Sequence, residues 1–192
     1  MKFFMILFII CAFSGCMASA PEIKEPSPKP ESEQREKTVP SEVPKILGQW
    51  TTEIINKDEA RVHNISIAVS QLQGVRLAPG EEFSFNRLLG ERTEDKGYQK
   101  ADIFVGDETE KAVGGGICQV SSTFYMAVKQ AGLYVSERHS HSQAVAYAAE
   151  GEDACVNYGS MDFRFVNSIQ KPIEILAATD GASVTVQIME AE

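Results

Sequence analysis

Cys118 follows a run of glycines and a single isoleucine, at the start of a stretch with helical spacing. The unpaired amides and the positive dipole end of a helix N-terminus stabilise a thiolate, which lowers a cysteine pKa below its free value of about 8.5. The same amides are donors for a developing oxyanion. The pattern indicates a nucleophilic cysteine, with Gly114, Gly115 and Gly116 allowing backbone or substrate to approach the sulfur.

Residues suited to serve such a nucleophile follow later in the chain. His139 and His141 share one face if the strand predicted before them continues. His141 is the first candidate base and His139 the alternate, while Asp162 is the candidate for fixing the imidazole tautomer. The order Cys, His, Asp is similar to that of transglutaminase-like and papain-type enzymes, as an analogy of arrangement. Acyl transfer of this kind needs no cofactor and no metal, and we expect none.

Three other roles stay open for these side chains. Cys118 and Cys155 are the only thiols in the folded part, and paired cysteines in exported proteins often form disulfides. Cys118, His139 and His141 also supply three zinc ligands with an open fourth position. In a purely structural role, the glycines allow a tight turn and the histidines cover polar surface. His63, alone on the first predicted helix, is expected to be structural.

Hydrophobic periodicity assigns these residues to a single compact α+β domain with an antiparallel sheet. One long N-terminal helix is predicted at residues 60–72 and ends at Gly74, and another opens at Cys118 and ends at Gly132. Strands are predicted at residues 75–77, 83–85, 101–105, 110–113, 133–137, 162–166, 173–177 and 184–188, with Asp180-Gly181 as the last turn.

The N-terminus predicts export and lipidation. Residues 3–13 form an apolar run that is too short to span a bilayer, which needs about 20 residues, but suits the core of a signal peptide. The following Ser14-Gly15-Cys16 resembles a bacterial lipobox, although Phe13 departs from the usual leucine. We therefore expect residues 1–15 to be a signal peptide and Cys16 to carry the lipid. Ordinary cleavage after Ala18 or Ala20 is the alternative.

Composition separates a tether from a folded part. Six of the eight prolines lie between Pro21 and Pro44, among charged residues and serine, so residues 16–45 are predicted to be a disordered tether. Residues 46–192 are long enough to bury a core of their own. The expected location is the outer side of the cytoplasmic membrane, held by the lipid on Cys16.

The charge balance excludes one class of partner. The 192 residues carry 18 Lys plus Arg against 27 Asp plus Glu, a net charge of −9. Such a chain has no cationic surface for nucleic acid or for anionic lipid. The expected partners are the membrane, through the lipid anchor, and cell-wall peptide. The sequence does not determine an oligomeric state.

Several motifs in the folded part together resemble the VanW-like family of bacterial proteins. They run from about Trp50 to Ile188. The set comprises Arg61-x-x-Asn64-Ile65, Pro79-Gly80-Glu81-x-Phe83-Ser84-Phe85-Asn86, Leu89-Gly90-x-Arg92-Thr93, Gly97-Tyr98, Gly114-Gly115-Gly116-Ile117-Cys118-Gln119-Val120-Ser121-Ser122-Thr123, Glu137-Arg138-His139-x-His141-Ser142, Gly151-x-Asp153-Ala154 and Asp162-Phe163-x-Phe165. The block around Cys118 is the most specific.

The resemblance implies an envelope role and sharpens the site more than the reaction. The family is named for an accessory protein encoded beside glycopeptide-resistance genes, and many members are exported or membrane-attached. Family members usually lack a thiol at the position of Cys155, so a disulfide there would be peculiar to this chain. The motif residues that carry over are Gly114, Gly115, Gly116, Cys118, Gln119, Ser121, Ser122, Thr123, Arg138, His139, His141, Ser142, Asp153 and Asp162.

Two hypotheses of function result. The favoured one is a Cys/His-dependent acyl-transfer enzyme, of amidase, peptidase or transpeptidase type, that acts on cell-wall peptide. The other is a non-catalytic binding module, in which the glycine-rich loop together with Arg92, Arg138 and Arg164 holds a carboxylate-bearing ligand. A sulfur near an imidazole nitrogen in a reachable groove favours the enzyme.

Overall fold

The structure is a computed structural model that describes residues 45–105 and 108–192. The predicted signal peptide, Cys16 and the tether up to residue 44 lie outside these residues. Within the two described ranges, no helix has the length and apolar character needed to cross a membrane.

The described residues alternate helices and antiparallel strands, which confirms the α+β prediction. The elements are β1 (Ile46–Glu53), α1 (Glu59–Leu72), β2 (Val75–Leu77), β3 (Glu82–Ser84), α2 (Phe85–Leu89), a 3₁₀ turn (Glu94–Lys96), β4 (Lys100–Val105), β5 (Glu108–Val113), α3 (Ile117–Gln130), β6 (Tyr134–Glu137), β7 (Arg164–Val166), β8 (Ile173–Thr179) and β9 (Ser183–Glu190).

The strands form three sheets. The largest has the order β1-β9-β8-β2, a second has the order β3-β7-β6, and β4 pairs with β5 as a hairpin. Helix α3 packs against β1 and β9, while α1 packs against β8 and against α3. The apolar faces of both helices and the inner face of the large sheet therefore enclose one core.

Helix α1 forms where the apolar spacing predicts it. The Asp58 side chain accepts a hydrogen bond from the Arg61 amide at 3.2 Å and caps the N-terminus. Ile65, Val69 and Leu72 lie on the buried face. The part of this helix around Arg61 packs against the glycine loop before α3, so the helix helps to position the candidate site.

Two elements differ from the prediction for identifiable reasons. The sequence pattern did not predict β1, because its buried positions include Gly48 in place of an apolar side chain. A Cβ at Gly48 would lie 2.3 Å from the Ala127 carbonyl oxygen of α3. The strand predicted at residues 83–85 ends at Ser84, whose hydroxyl accepts from the Arg87 amide at 3.0 Å and starts α2. In each case a tertiary or capping contact overrides the local pattern.

Four phenylalanines form the centre of the core between α3 and the β3-β7-β6 sheet. The ring centroid of Phe124 lies 5.0 Å from Phe83, 5.5 Å from Phe163 and 5.4 Å from Phe165, at nearly perpendicular angles. Edge-to-face pairs of this kind add to the free energy gained by burying the rings. They fix α3, and with it Cys118, against the sheet.

Phe124→Ala should therefore lower the free energy of unfolding by about 3–5 kcal/mol, because it leaves a cavity among three rings. Tyr134→Ala is the matched control, since Tyr134 is exposed on β6, and its effect should stay within about 0.5 kcal/mol. Chemical denaturation followed by circular dichroism measures both. Equal losses in the two variants would contradict this description of the core.

Candidate active site

Helix α3 presents Cys118 in its first turn. Gly116 is the N-cap residue, with a positive φ of 105°, and Cys118 is the second helical residue. A Cβ on Gly115 would lie 2.7 Å from the Ala101 carbonyl oxygen of β4. The glycines thus serve close packing of the loop against β4 and α1, and the structure gives a cause for them that differs from the predicted approach of substrate.

His141 and Asp153 form the second part of the site. The ring Nδ1 of His141 lies 2.5 Å from Asp153 Oδ2, which also accepts a hydrogen bond from the His141 amide at 2.6 Å. Arg138 donates to Asp153 Oδ1 at 2.9 Å and to its carbonyl oxygen at 2.6 Å. A carboxylate held this way keeps the proton of neutral His141 on Nδ1 and leaves Nε2 as the acceptor.

Cys118, His141 and Cys155 meet at one point. Both Sγ atoms and a ring nitrogen of His141 all lie within 4.8 Å of one another. Because Nδ1 is bonded to Asp153, Nε2 is the nitrogen available to the sulfurs. The Tyr147 hydroxyl lies 3.4 Å from Nε2. Cys118 and Cys155 are free thiols and both are partly exposed.

The surroundings separate the two thiols chemically. The hydrogen bond from Cys155, joined by the hydrogen bond and charge of His141, lowers the pKa of Cys118 well below its ordinary value despite burial. The hydrogen bond between Cys155 and Cys118, together with burial, raises the pKa of Cys155. Cys118 is therefore the thiol that loses its proton, and Cys155 remains a donor to it.

The pKa values of the imidazole and of its carboxylate are also shifted, each against the effect of burial. Burial by itself would lower the pKa of His141, but the hydrogen bonds and charges of Cys118 and Asp153 raise it above its ordinary value. Burial would raise the pKa of Asp153, but the hydrogen bonds from the His141 amide and ring lower it. The favoured state is a thiolate beside an imidazolium, supported by an ionised carboxylate.

Asp162 and His139 lie elsewhere than expected. Asp162 accepts from the Ser84 hydroxyl at 2.6 Å and from the Asn86 amide at 2.8 Å, and so orders the junction of β3 and α2. His139 follows the end of β6 and its Nε2 lies 2.9 Å from Glu137 Oε1. The structure thus puts Asp153, and not Asp162, against His141, because His139 forms an antiparallel bridge with Cys155 beyond the end of β6 and so places Asp153 opposite His141.

Ser121 and Ser122, two of the predicted binding residues on α3, bind the loop that carries Asp153 and Cys155, while Thr123 binds β1. The Ser121 hydroxyl donates to the Ala154 carbonyl at 2.6 Å, and the Ser122 hydroxyl accepts from the Ala154 amide at 2.9 Å. The Thr123 hydroxyl lies 2.7 Å from that of Thr52 in β1. These side chains are buried. They position the site and do not line it.

The remaining predicted residues divide between two cavities. Arg92, Gln119, Gly114 and Gly116 line the cavity of Cys118, which has a volume of about 510 Å³, while Gly115 packs against β4. Arg164 lies in a second cavity of about 610 Å³ together with Asp162. Ser142 is exposed. The cavity of Cys118 is also lined by Arg61, from α1, and by Tyr147, from the segment between His141 and Asp153, and the sequence predicted a role in the site for neither.

The same cluster offers a ligand set for a metal ion. Two thiolates and an imidazole whose other nitrogen is bonded to a carboxylate are a combination that zinc accepts. The set is Cys118, His141 and Cys155, so Cys155 takes the place of the expected His139. The arrangement is chemically suited either to zinc or to a nucleophilic thiolate with an oriented base.

The lowered pKa of Cys118 predicts a distinct pH profile for alkylation by iodoacetamide, read at each cysteine by peptide mass spectrometry. Because only the thiolate reacts, the Cys118 rate should persist well below a pH of about 8.5, where free cysteine titrates. His141→Gln and Asp153→Asn should shift the profile to higher pH, since each removes support for the thiolate.

Asp162→Asn is the matched control, because Asp162 has no hydrogen bond to His141 in the described part of the chain. Its profile should follow that of the wild type. A wild-type profile centred on the free-cysteine value, or equal shifts in the Asp153 and Asp162 variants, would contradict the assigned roles.

Comparison with known proteins adds the family. The family model described as VanW like protein matches residues 60–189. The uncharacterized protein YoaR of Bacillus subtilis is 42% identical over 146 residues, which cover 76% of this chain and 48% of YoaR. The vancomycin B-type resistance protein VanW of Enterococcus faecalis is 25% identical over 135 residues, which cover 68% of this chain and 49% of that protein.

The chain spans about half the length of these curated relatives. No solved structure gives a significant match. The family match covers most of the folded residues and includes Cys118, His141 and Asp153. On the family match and the identity with YoaR, the chain belongs to the VanW-like family.

Proposed function

We propose that this chain is a cysteine-dependent acyl-transfer enzyme that acts on the peptide part of the cell wall. The observation that carries the proposal is the series Cys118, His141, Asp153, in which a carboxylate orients an imidazole whose free nitrogen meets a sulfur. This is the logic of nucleophile, base and orienting acid that serves acyl transfer on unrelated folds. The cavity gives a substrate access to the sulfur.

The first half-reaction forms a thioester. The Cys118 thiolate attacks the carbonyl carbon of a substrate amide, and the carbonyl electron pair moves to the oxygen. The Ile117 and Gln119 amides already donate to the Gly114 and Gly116 carbonyls at 3.3 and 3.1 Å, so the Cys118 amide and the positive dipole end of α3 are what can stabilise that oxyanion. The His141 imidazolium gives its Nε2 proton to the leaving nitrogen as the C–N bond breaks.

The second half-reaction restores the enzyme. Neutral His141 accepts a proton from water or from an amine, which attacks the thioester carbonyl and releases the Cys118 thiolate. Water as acceptor makes the reaction that of an amidase or peptidase. The amine of a second peptide makes it that of a transpeptidase. The two outcomes share every protein group described above and differ in the acceptor.

Cys155 and Tyr147 are protonated donors next to the Cys118–His141 pair. Cys155 keeps its proton and so remains a hydrogen-bond donor to the Cys118 thiolate. Burial, together with the nearby Cys118 charge, raises the pKa of Tyr147, so its hydroxyl stays protonated beside His141. Protonated donors around a thiolate stabilise it without neutralising it.

The family and the export pattern of the N-terminus support a cell-wall substrate. One relative carries the name of a vancomycin B-type resistance protein, and the N-terminus of this chain has the pattern of an exported lipoprotein. The competing proposal is a module that binds wall peptide without turning it over. The orientation of His141 by a buried carboxylate favours the enzyme, because a binding module has no need of an activated thiol.

Turnover of purified cell-wall peptides, followed by liquid chromatography and mass spectrometry, tests the enzyme. Cys118→Ser should abolish product formation, and His141→Gln should lower the rate by about 10²–10⁴-fold, the usual contribution of a general acid and base. Cys155→Ser is the matched control and should retain turnover, because a hydroxyl still donates a hydrogen bond to the thiolate.

Two results would overturn the proposal. Equal peptide binding by the wild type and Cys118→Ser, with no product from either, would identify a binding module. Loss of activity on chelation, with recovery on adding zinc, would make Cys118 a metal ligand instead of the nucleophile.

We also propose that Cys16 carries the lipid that anchors the chain on the outer side of the membrane. Cys16→Ser should abolish incorporation of labelled fatty acid and release the chain from membranes, while thermal unfolding of the folded part stays unchanged. Absence of fatty-acid label in the wild type would contradict the anchor and leave the enzyme proposal intact.

A further inference from the structure

The structure divides the arginines of this chain into paired and unpaired ones. Arg138 is paired with Asp153 at 2.9 Å, and Arg164 with Asp162 at 2.9 Å, so two of the three predicted ligand-binding arginines are already satisfied. Arg92 and Arg61 form no ion pair within residues 45–105 and 108–192. Both line the cavity of Cys118.

Arg61 reaches the cavity from α1. Its Nη2 donates to Gln119 Oε1 at 3.0 Å, and Gln119 is itself held by the Glu53 carbonyl at 2.8 Å. Its Nε is buried and has no hydrogen-bond partner among the residues that the structure describes. A Cβ on Gly116 would lie 3.0 Å from Arg61 Cγ, so the glycine makes room for the arginine stem. The guanidinium is therefore oriented but not neutralised.

Arg92 enters the same cavity from the loop after α2. Its Nη1 donates to the Gly90 carbonyl at 2.8 Å and its Nη2 to Asn86 Oδ1 at 2.7 Å. A Cβ on Gly114 would lie 3.0 Å from Arg92 Cβ. Two glycines of the loop before Cys118 thus accommodate two arginine stems, one on each side of the helix start.

Neither cation has a carboxylate partner among residues 45–105 and 108–192, although the Cys118 thiolate lies in the same cavity and its charge favours both guanidinium groups. Burial lowers the pKa of both guanidinium groups, which marks an environment that disfavours their charge. The cavity also contains Glu91 and Asp102. Asp102 is engaged elsewhere, since it accepts from Asn56 at 3.2 Å and lies 3.9 Å from Lys111. Partly buried cations without a paired anion are costly, and a ligand anion offsets that cost.

We propose that Arg61 and Arg92 form a subsite for a free carboxylate of the acyl donor, beside the bond that Cys118 attacks. Guanidinium groups bind carboxylates through paired hydrogen bonds, which gives orientation as well as affinity. This inference rests on the proposed acyl-transfer function and names its substrate class. The proposed donor is a peptide with a free, charged carboxylate near the scissile bond, and not a peptide that is uncharged there.

Two alkylating reagents of nearly equal size test the subsite without turnover. Iodoacetate carries a carboxylate and iodoacetamide a neutral amide, and the ratio of their rates at Cys118 reports carboxylate recognition. Arg61→Gln and Arg92→Gln should each lower the iodoacetate-to-iodoacetamide ratio by about tenfold, because each removes charge-assisted hydrogen bonds. Arg76→Gln is the matched control, since Arg76 pairs with Glu174 on the exposed sheet edge, and should keep the wild-type ratio.

Arg61→Lys and Arg92→Lys keep the charge and guard against loss of folding, which thermal unfolding monitors. Each should give a ratio between those of the wild type and the glutamine variant. Protection of Cys118 from iodoacetamide by N-acetyl-dialanine, with much weaker protection by its C-terminal carboxamide, is the companion result expected.

An unchanged ratio in all four arginine variants, or equal protection by the acid and the carboxamide, would overturn the subsite. So would stronger protection by inorganic phosphate than by the dipeptide acid, because the ligand would then not be a carboxylate. Failure of the enzyme proposal appears separately. It would show as absence of peptide turnover in a wild type that still prefers iodoacetate, a result that leaves the carboxylate subsite standing.

Discussion

The candidate site depends on one buried carboxylate. Asp153 lies between the guanidinium of Arg138 and the imidazole of His141 and accepts hydrogen bonds from both. An ion pair so enclosed tolerates the loss of either partner poorly, because the remaining charge is left buried without compensation. The same carboxylate fixes the His141 tautomer and so turns Nε2 toward the sulfurs. Without Asp153, the imidazole would lose its defined orientation and part of the support for its raised pKa, the rest of which comes from Cys118.

The rest of the domain serves to bring this carboxylate to the start of α3. The hydroxyls of Ser121 and Ser122 bind the backbone of Ala154, the neighbour of Asp153 in the chain. The phenylalanine cluster holds the same helix against the β3-β7-β6 sheet. Contacts from the two faces of α3 therefore define where Cys118 lies, and the glycine loop before it leaves room for the arginines that line the cavity.

Features with a local signal could be predicted from the sequence. The α+β class, α1, α3 and the β8-β9 hairpin follow from spacing and turn residues, and Cys118 at a helix start follows from the glycines before it. The role of Asp153 as orienting acid could not be predicted, because it depends on the antiparallel bridge between His139 and Cys155, which lies outside the predicted strands. The place of Arg61 in the site could not be predicted either, because only the packing of α1 against α3 brings it to Cys118. Such long-range contacts leave no periodic trace in a single sequence.

The central claim is that Cys118 is a thiolate paired with the His141 imidazolium at neutral pH. Ultraviolet titration of thiolate absorbance in the reduced chain tests it most directly, with Cys118→Ser and Cys155→Ser as companions. With the predicted signal peptide removed and Cys16 lipidated, one thiolate is expected at neutral pH, present in Cys155→Ser and lost in Cys118→Ser. Absorbance that grows only in the alkaline range of free cysteine, by equal amounts for the two thiols, would contradict it.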